Sequence, residues 1–142
     1  MIADDALLSK KHDKQLKEII DRYVATDEEI IVALRGVQKE YLVATDKQVY
    51  IIKKGFMTGH LFGHGVMKLP YKAITSVNVD MGLLTGYFEL SAAGIENKKL
   101  PYITSQKGAS SSEAPNAISI NRTLLPEFEK AVAIINRQIH AA

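Results

Sequence analysis

The sequence predicts a mainly β fold with flanking helices: about seven short antiparallel strands between an N-terminal and a C-terminal amphipathic helix. Three observations carry this. In "EYLVATDKQVYIIKKG" two apolar runs are split by the polar quartet Thr45, Asp46, Lys47 and Gln48, which a hairpin needs and a helix does not. Leu16, Ile19, Ile20, Tyr23 and Val24 recur at helical spacing near the start of the chain. Leu125, Phe128, Val132, Ile135 and Ile139 do the same near its end. A chain of 142 residues is one domain by length and can bury a single core.

The elements follow in order. The first helix runs from Asp5 or Asp13 to Val24, with Lys14, Lys17, Glu18, Asp21 and Arg22 opposite its apolar face. After it the period changes: "IIVALRG", "EYLVAT" and "VYIIKKG" are short and rich in Val, Ile and Tyr. Gly36 between the first two is available for a positive backbone angle. In the quartet, Asp46 and more weakly Thr45 can accept from backbone amides two residues on, so the chain reverses there. These pieces predict three antiparallel strands. Residues 55–65 hold glycines at 55, 59, 63 and 65 and read as a loop. "VMKLPY" resumes extended structure up to Pro70. In "YKAITSVNVDMG" Thr75, Val77 and Val79 share one face, and Phe88, Leu90 and Ala92 share one in "GYFELSAAG". "IENKKLPYIT" reads as a further strand that Pro101 confines to an edge. Residues 105–116 are polar and Ser-rich and read as an exposed loop, and Ile118 with Ile120 as a short edge segment. In the last helix Thr123 can cap the start and Pro126 fits the first turn.

Composition removes several functions. With no cysteine there is no disulfide framework, thiolate metal site or Cys nucleophile. The acidic start "MIADDALL" is not a secretory signal. The apolar runs at residues 30–34 and 131–135 fall far short of the roughly 20 residues of a membrane span. A cytoplasmic protein is therefore expected. Net charge is +2, too small to suggest nucleic acid, but it is unevenly spread. Residues 47–79 carry Lys47, Lys53, Lys54, Lys68 and Lys72 and no acid. That run is either a lysine-protected sheet edge or a face that meets something anionic.

No catalytic constellation stands out. There is no nucleophile elbow, His-Glu-x-x-His or Walker lysine, and the paired acids Asp4-Asp5 and Glu28-Glu29 fall at element boundaries. His60 and His64 are four apart, but the surrounding glycines oppose a helix and no third ligand is near, so no metal or other cofactor is expected. The binding candidate is the loop itself. Phe56, Met57, Leu61 and Phe62, flanked by Lys53, Lys54 and Lys68, either fold back onto the domain or form a lysine-rimmed apolar patch.

The segments "YLVATDKQVYIIKKG" and "KLPYKAITSVNVDMGLLTGYFELSAAG" resemble the bacterial pleckstrin-homology-like family, particularly its YokE-like group. The counterparts of the family motifs are Thr45-Asp46-Lys47, Leu69-Pro70-Tyr71 with Ile74-Thr75-Ser76-Val77, and Gly82 with Gly86. Two features depart from the pattern: Gln48 stands where the family has arginine, and residues 105–116 lengthen the approach to the last helix. The resemblance implies a split barrel of two nearly orthogonal antiparallel sheets, plugged by the C-terminal helix. It implies a layout of an N-terminal helical extension at 1–27 and a domain at 28–142, with the loop at 105–116 and the closing helix at 123–141. It also implies a non-enzymatic interaction module working through protein contacts, expected to self-associate into a homo-oligomer. The alternative expectation is a peripheral attachment to an anionic membrane surface through residues 53–68. Arg35 and Lys39 are too few basic groups around the first turn to carry over phosphoinositide binding.

Overall fold

The computed structural model describes residues 2–9, 14–54, 64–93 and 116–142. Its strands are β1 (Ile2–Leu8), β2 (Ile30–Arg35), β3 (Glu40–Thr45), β4 (Gln48–Lys54), β5 (His64–Pro70), β6 (Ile74–Met81), β7 (Thr85–Ala92) and β8 (Ala117–Asn121). Helix α1 spans Lys14–Tyr23 and α2 spans Leu125–Ala141, and Tyr71–Ala73 form one 3-10 turn. The strands make a five-stranded sheet in the order β1-β2-β3-β4-β5 and a three-stranded sheet in the order β6-β7-β8.

The expected meander is present: β2, β3 and β4 pair antiparallel, with Leu34 opposite Leu42 and Leu42 opposite Ile51. The expected split barrel, capped by the last helix, is not. Among the described residues no strand ladder joins the two sheets, which remain separate and unclosed. Two local causes act together. Pro70 ends β5 and the 3-10 turn redirects the chain before β6 begins. The outer edge of β2 is already taken by β1, which lies parallel to it with Leu7 beside Val32 and Leu8 beside Ala33. That strand replaces the helix start expected at Asp5; the helical stripe begins only at Lys14. The proposed strand at "IENKKLPYIT" and the loop at 105–116 lie outside the described residues apart from Asn116.

Pleat alternation gives the five-stranded sheet two buried faces. Val32, Leu34, Leu42, Ala44, Val49 and Ile51 face a core shared with the second sheet and α2. Ala33, Tyr41, Val43, Tyr50 and Ile52 face the opposite way and receive Leu16, Ile19 and Val24 from α1 and the residue after it. This is why β3 is buried at every position. In α2, Phe128, Ala131 and Ile135 are fully buried, whereas Leu125, Val132 and Ile139 are only partly covered. The ring of Phe128 meets that of Phe88 at 5.6 Å, tilted by 57°.

Local chemistry differs from expectation at four places. Gly36 is needed for close approach: a Cβ there would lie 2.3 Å from Ile118 Cγ2, while the positive angle belongs to Lys39, at φ 55. Thr45, not Asp46, organises the turn, its Oγ1 accepting from the Lys47 and Gln48 amides at 3.1 Å each. Asp46 instead accepts from the Glu29 amide at 2.8 Å. A register shift between Ile74 and Ser76 brings Ile74 into the same core as Val77, against simple alternation. Thr123 does not cap α2; the residue at the cap is Leu124, whose amide donates to Asn121 Oδ1 at 3.0 Å.

Candidate functional site

Three places on this scaffold gather polar or apolar side chains in a way the cores alone do not require. The first is the end of the five-stranded sheet where β4 leaves and β5 returns, with Lys54 opposite His64 in the register. Phe56, Met57, Leu61 and Phe62, together with His60, lie outside the described residues. Lys53 does not join a surface cluster: it is buried, and its Nζ lies 3.0 Å from Glu40 Oε2 in a cross-strand ion pair. Glu40 Oε1 also accepts from the Ser119 amide at 2.8 Å, and the Val37 amide donates to the Ser119 carbonyl at 2.9 Å. These bonds tie the β2–β3 turn to β8 across the gap between the sheets. Lys68 is exposed, its ammonium 5.8 Å from the centre of the Tyr50 ring. The lysine run is therefore divided among different environments, with Lys47 paired to Asp27 at 3.1 Å on the opposite end of β4.

The second place is that opposite end, around the quartet. Glu28 is buried, and its carboxylate accepts from Thr45 Oγ1 at 2.7 Å, the Tyr50 hydroxyl at 3.0 Å and Gln48 Nε2 at 2.8 Å. Gln48 thus meets the carboxylate from the position where the family pattern has arginine. Burial, first, and the bond to Glu28 raise the Tyr50 hydroxyl above its ordinary range. Burial also raises that of Tyr71, which donates to the Thr45 carbonyl at 2.5 Å. A carboxylate held by three donors is a structural knot joining the segment before β2 to the turn. Beside it lies a cleft of about 260 Å³ between the quartet, the 3-10 turn and the end of α2, lined by Lys47, Pro70, Tyr71, Lys72, Gln138 and Ala141.

The third place is the tip of the β6–β7 hairpin. The Gly82 amide donates to the Thr85 carbonyl at 2.8 Å, leaving Leu83 and Leu84 at the apex, 82% and 73% exposed. Gly86 is obligatory, since a Cβ there would lie 2.2 Å from the Asp80 carbonyl oxygen. Arg122, just past β8, holds the tip from beneath: its Nε donates to the Leu83 carbonyl at 2.7 Å and an Nη to that of Gly82 at 3.3 Å. The sequence reading names Gly82 and Gly86 but not Leu83, Leu84 or Arg122, although two leucines in a two-residue hairpin loop are a signal. Such loops favour Gly, Asn and Asp, so leucines there violate turn chemistry without contributing to the core. Among the described residues no group of three or more His, Cys, Asp or Glu side chains is placed to hold a metal.

Comparison with known proteins agrees with the general architecture. The crystal structure of a pleckstrin homology domain from Shewanella amazonensis SB2B aligns with a TM-score of 0.54 at 21% identity, covering 86% of this chain and 96% of that one. A DUF1696 family protein with a pleckstrin-homology domain from Shewanella loihica PV-4 aligns with a TM-score of 0.53 at 19% identity, covering 89% and 98%. At these identities the likeness concerns the fold. No curated protein matches the chain. The family model described as the bacterial PH domain matches residues 24–113, more than half of the 142. The chain therefore belongs to the bacterial PH domain family.

Proposed function

We propose that the protein works through protein contacts, and first through contacts with further copies of itself. The Leu83–Leu84 tip is the observation that supports this reading. Two large apolar side chains stand in water on a turn braced by Arg122, although both cores are already filled from other residues. Scattered exposed apolar residues such as Ile2, Leu8 and Val37 need no explanation, but an adjacent, braced pair does. The loop bearing Phe56, Met57, Leu61 and Phe62, between Lys54 and Lys68, is proposed as a second apolar contact of the same kind. A cytoplasmic setting accords with this reading. No described helix is long and apolar enough to cross a membrane.

Light scattering after gel filtration, over a concentration series, tests the proposal. A mass rising with concentration and insensitive to salt is expected, because apolar contacts are not screened. Flotation with anionic vesicles at low and high salt is the control. A strict monomer that floats only at low salt would replace self-association by attachment to an anionic membrane surface. Phe56→Ser with Phe62→Ser should weaken association if the loop takes part; an unchanged mass would remove the loop from the contact.

A further inference from the structure

We infer that β1 is a detachable guard over the edge of β2: it leaves that edge in an opening of its own, with both cores still folded, and so controls whether the edge can pair with another strand. The strand is held by little. It runs parallel to β2 in a sheet whose other neighbours pair antiparallel, and parallel pairing is slightly the weaker for each residue. Its ladder is broken: Ile2 stands opposite Ile30 and Leu7 opposite Val32, so four residues of β1 face a single residue of β2. None of its seven residues is buried, and Ile2, Asp4, Asp5 and Leu8 are exposed. Among the described residues of β1, Leu7 alone packs against a core, and it is only partly covered.

Both cores are built without the rest of β1. Strands β2, β3 and β4 fill them from their two faces, α1 is anchored by Leu16 and Ile19, and α2 by Phe128, Ala131 and Ile135. Releasing β1 therefore gives up one half-buried leucine and a few backbone bonds, while the whole segment regains its conformational freedom. The two edges also differ in kind. Bared, β2 presents unpaired backbone groups such as the Ala33 carbonyl, which now accepts from the Ser9 amide at 2.9 Å. An edge of that sort is a template for a further strand. In its place β1 offers an irregular edge with Asp4 and Asp5 in the broken stretch, and irregularity and charge both discourage strand pairing. This device is independent of the Leu83–Leu84 contact.

Hydrogen exchange read amide by amide in the full chain tests the separate opening, with Ser9 reporting on β1 and Leu42 on the central strand β3. The Ser9 amide should be protected roughly a hundredfold less than that of Leu42. Its rate should hardly change with urea below the unfolding transition, because little surface is exposed, whereas that of Leu42 should rise steeply. Phe128→Ala should speed Leu42 roughly a hundredfold or more and leave Ser9 unchanged, since the β1-open state keeps its core. Equal protection with equal urea dependence, or acceleration of both amides by Phe128→Ala, would make β1 part of one cooperative unit and overturn the inference; the urea series on the wild-type chain decides this even if the variant fails to fold. The guarding role has its own readout. Leu7→Asp should release β1 and raise the mass measured by light scattering, and the rise should persist when Leu83 and Leu84 are both replaced by Ser. A mass that does not rise, in a variant whose Ser9 amide has lost its protection, would show that β1 opens but guards nothing. A rise that vanishes with the two leucines would return the contact to the hairpin tip.

Discussion

Single side chains explain why the polar ends of the sheet hold together. Burial lifts the Tyr71 hydroxyl well above its ordinary 10.0, and the charges of Asp46 and Glu28 push in the same direction. Above that ordinary value the unfolded chain releases the proton first, so the unfolded state binds fewer protons and stability falls as pH rises. Tyr71→Phe should cost about 1 kcal/mol at neutral pH through its lost bond to the Thr45 carbonyl. It should also flatten the alkaline decline, in part only, because Tyr50 and Tyr87 are raised too. Urea midpoints at pH 8 and at several points above pH 10 would show both effects. An unchanged alkaline slope would mean that Tyr71 titrates alike in both states. The Glu40–Lys53 pair gives a second test. Lys53→Met strands a buried carboxylate and should cost roughly 3–5 kcal/mol, whereas adding Glu40→Gln should recover much of the loss. Additive losses in that double-mutant cycle would contradict a coupled pair.

Secondary-structure elements show how one sheet can serve two cores. Alternation along β2, β3 and β4 sends one set of side chains towards α2 and the second sheet and the other set towards α1. Phe128→Ala should therefore cost about 3–5 kcal/mol, since the ring is fully buried against Phe88 in the larger core. The β2–β3 turn is equally constrained where it meets β8. A Cβ at Gly36 would meet Ile118 Cγ2 at 2.3 Å and the Ser119 carbonyl at 2.8 Å, so Gly36→Ala should cost about 1–3 kcal/mol through overpacking. Chemical denaturation reads both values; a neutral Gly36→Ala would mean that β8 moves aside freely. Much at this scale was legible beforehand. The stripes of α1 and α2, the hairpin at Thr45 and the buried face of Phe88, Leu90 and Ala92 all follow from spacing within one segment. The strand β1 was not, because "IADDALL" lacks the alternation of a half-buried strand and five of its seven residues precede Leu7, where its packing on the core begins.

At the scale of the whole molecule, the two sheets of the described residues meet without closing. Their junction is a stacked core plus a few bonds between the β2–β3 turn and β8, among them the Glu40–Ser119 bond that spans 79 positions of sequence. Among the described residues this leaves an apolar hairpin tip and a cleft facing outward. Association that depends on protein concentration, survives high salt and disappears with Leu83 and Leu84 is the expected behaviour of the intact protein. Mass measurements on wild-type and tip-variant chains check it directly. Loss of association in high salt with the leucines present would point to charged contacts instead.

Periodicity and turn chemistry within short segments determined the β-rich class and the two amphipathic helices, because a chain's own faces are written in its spacing. Only the tertiary structure decided that β1 takes the edge of β2, that α1 covers the outer face of the five-stranded sheet, and that Lys53 is consumed by Glu40 while Leu83 and Leu84 stay outside. Those outcomes depend on which hydrogen-bonding edges and which volumes remain vacant after distant segments have packed, and a local pattern carries no record of that.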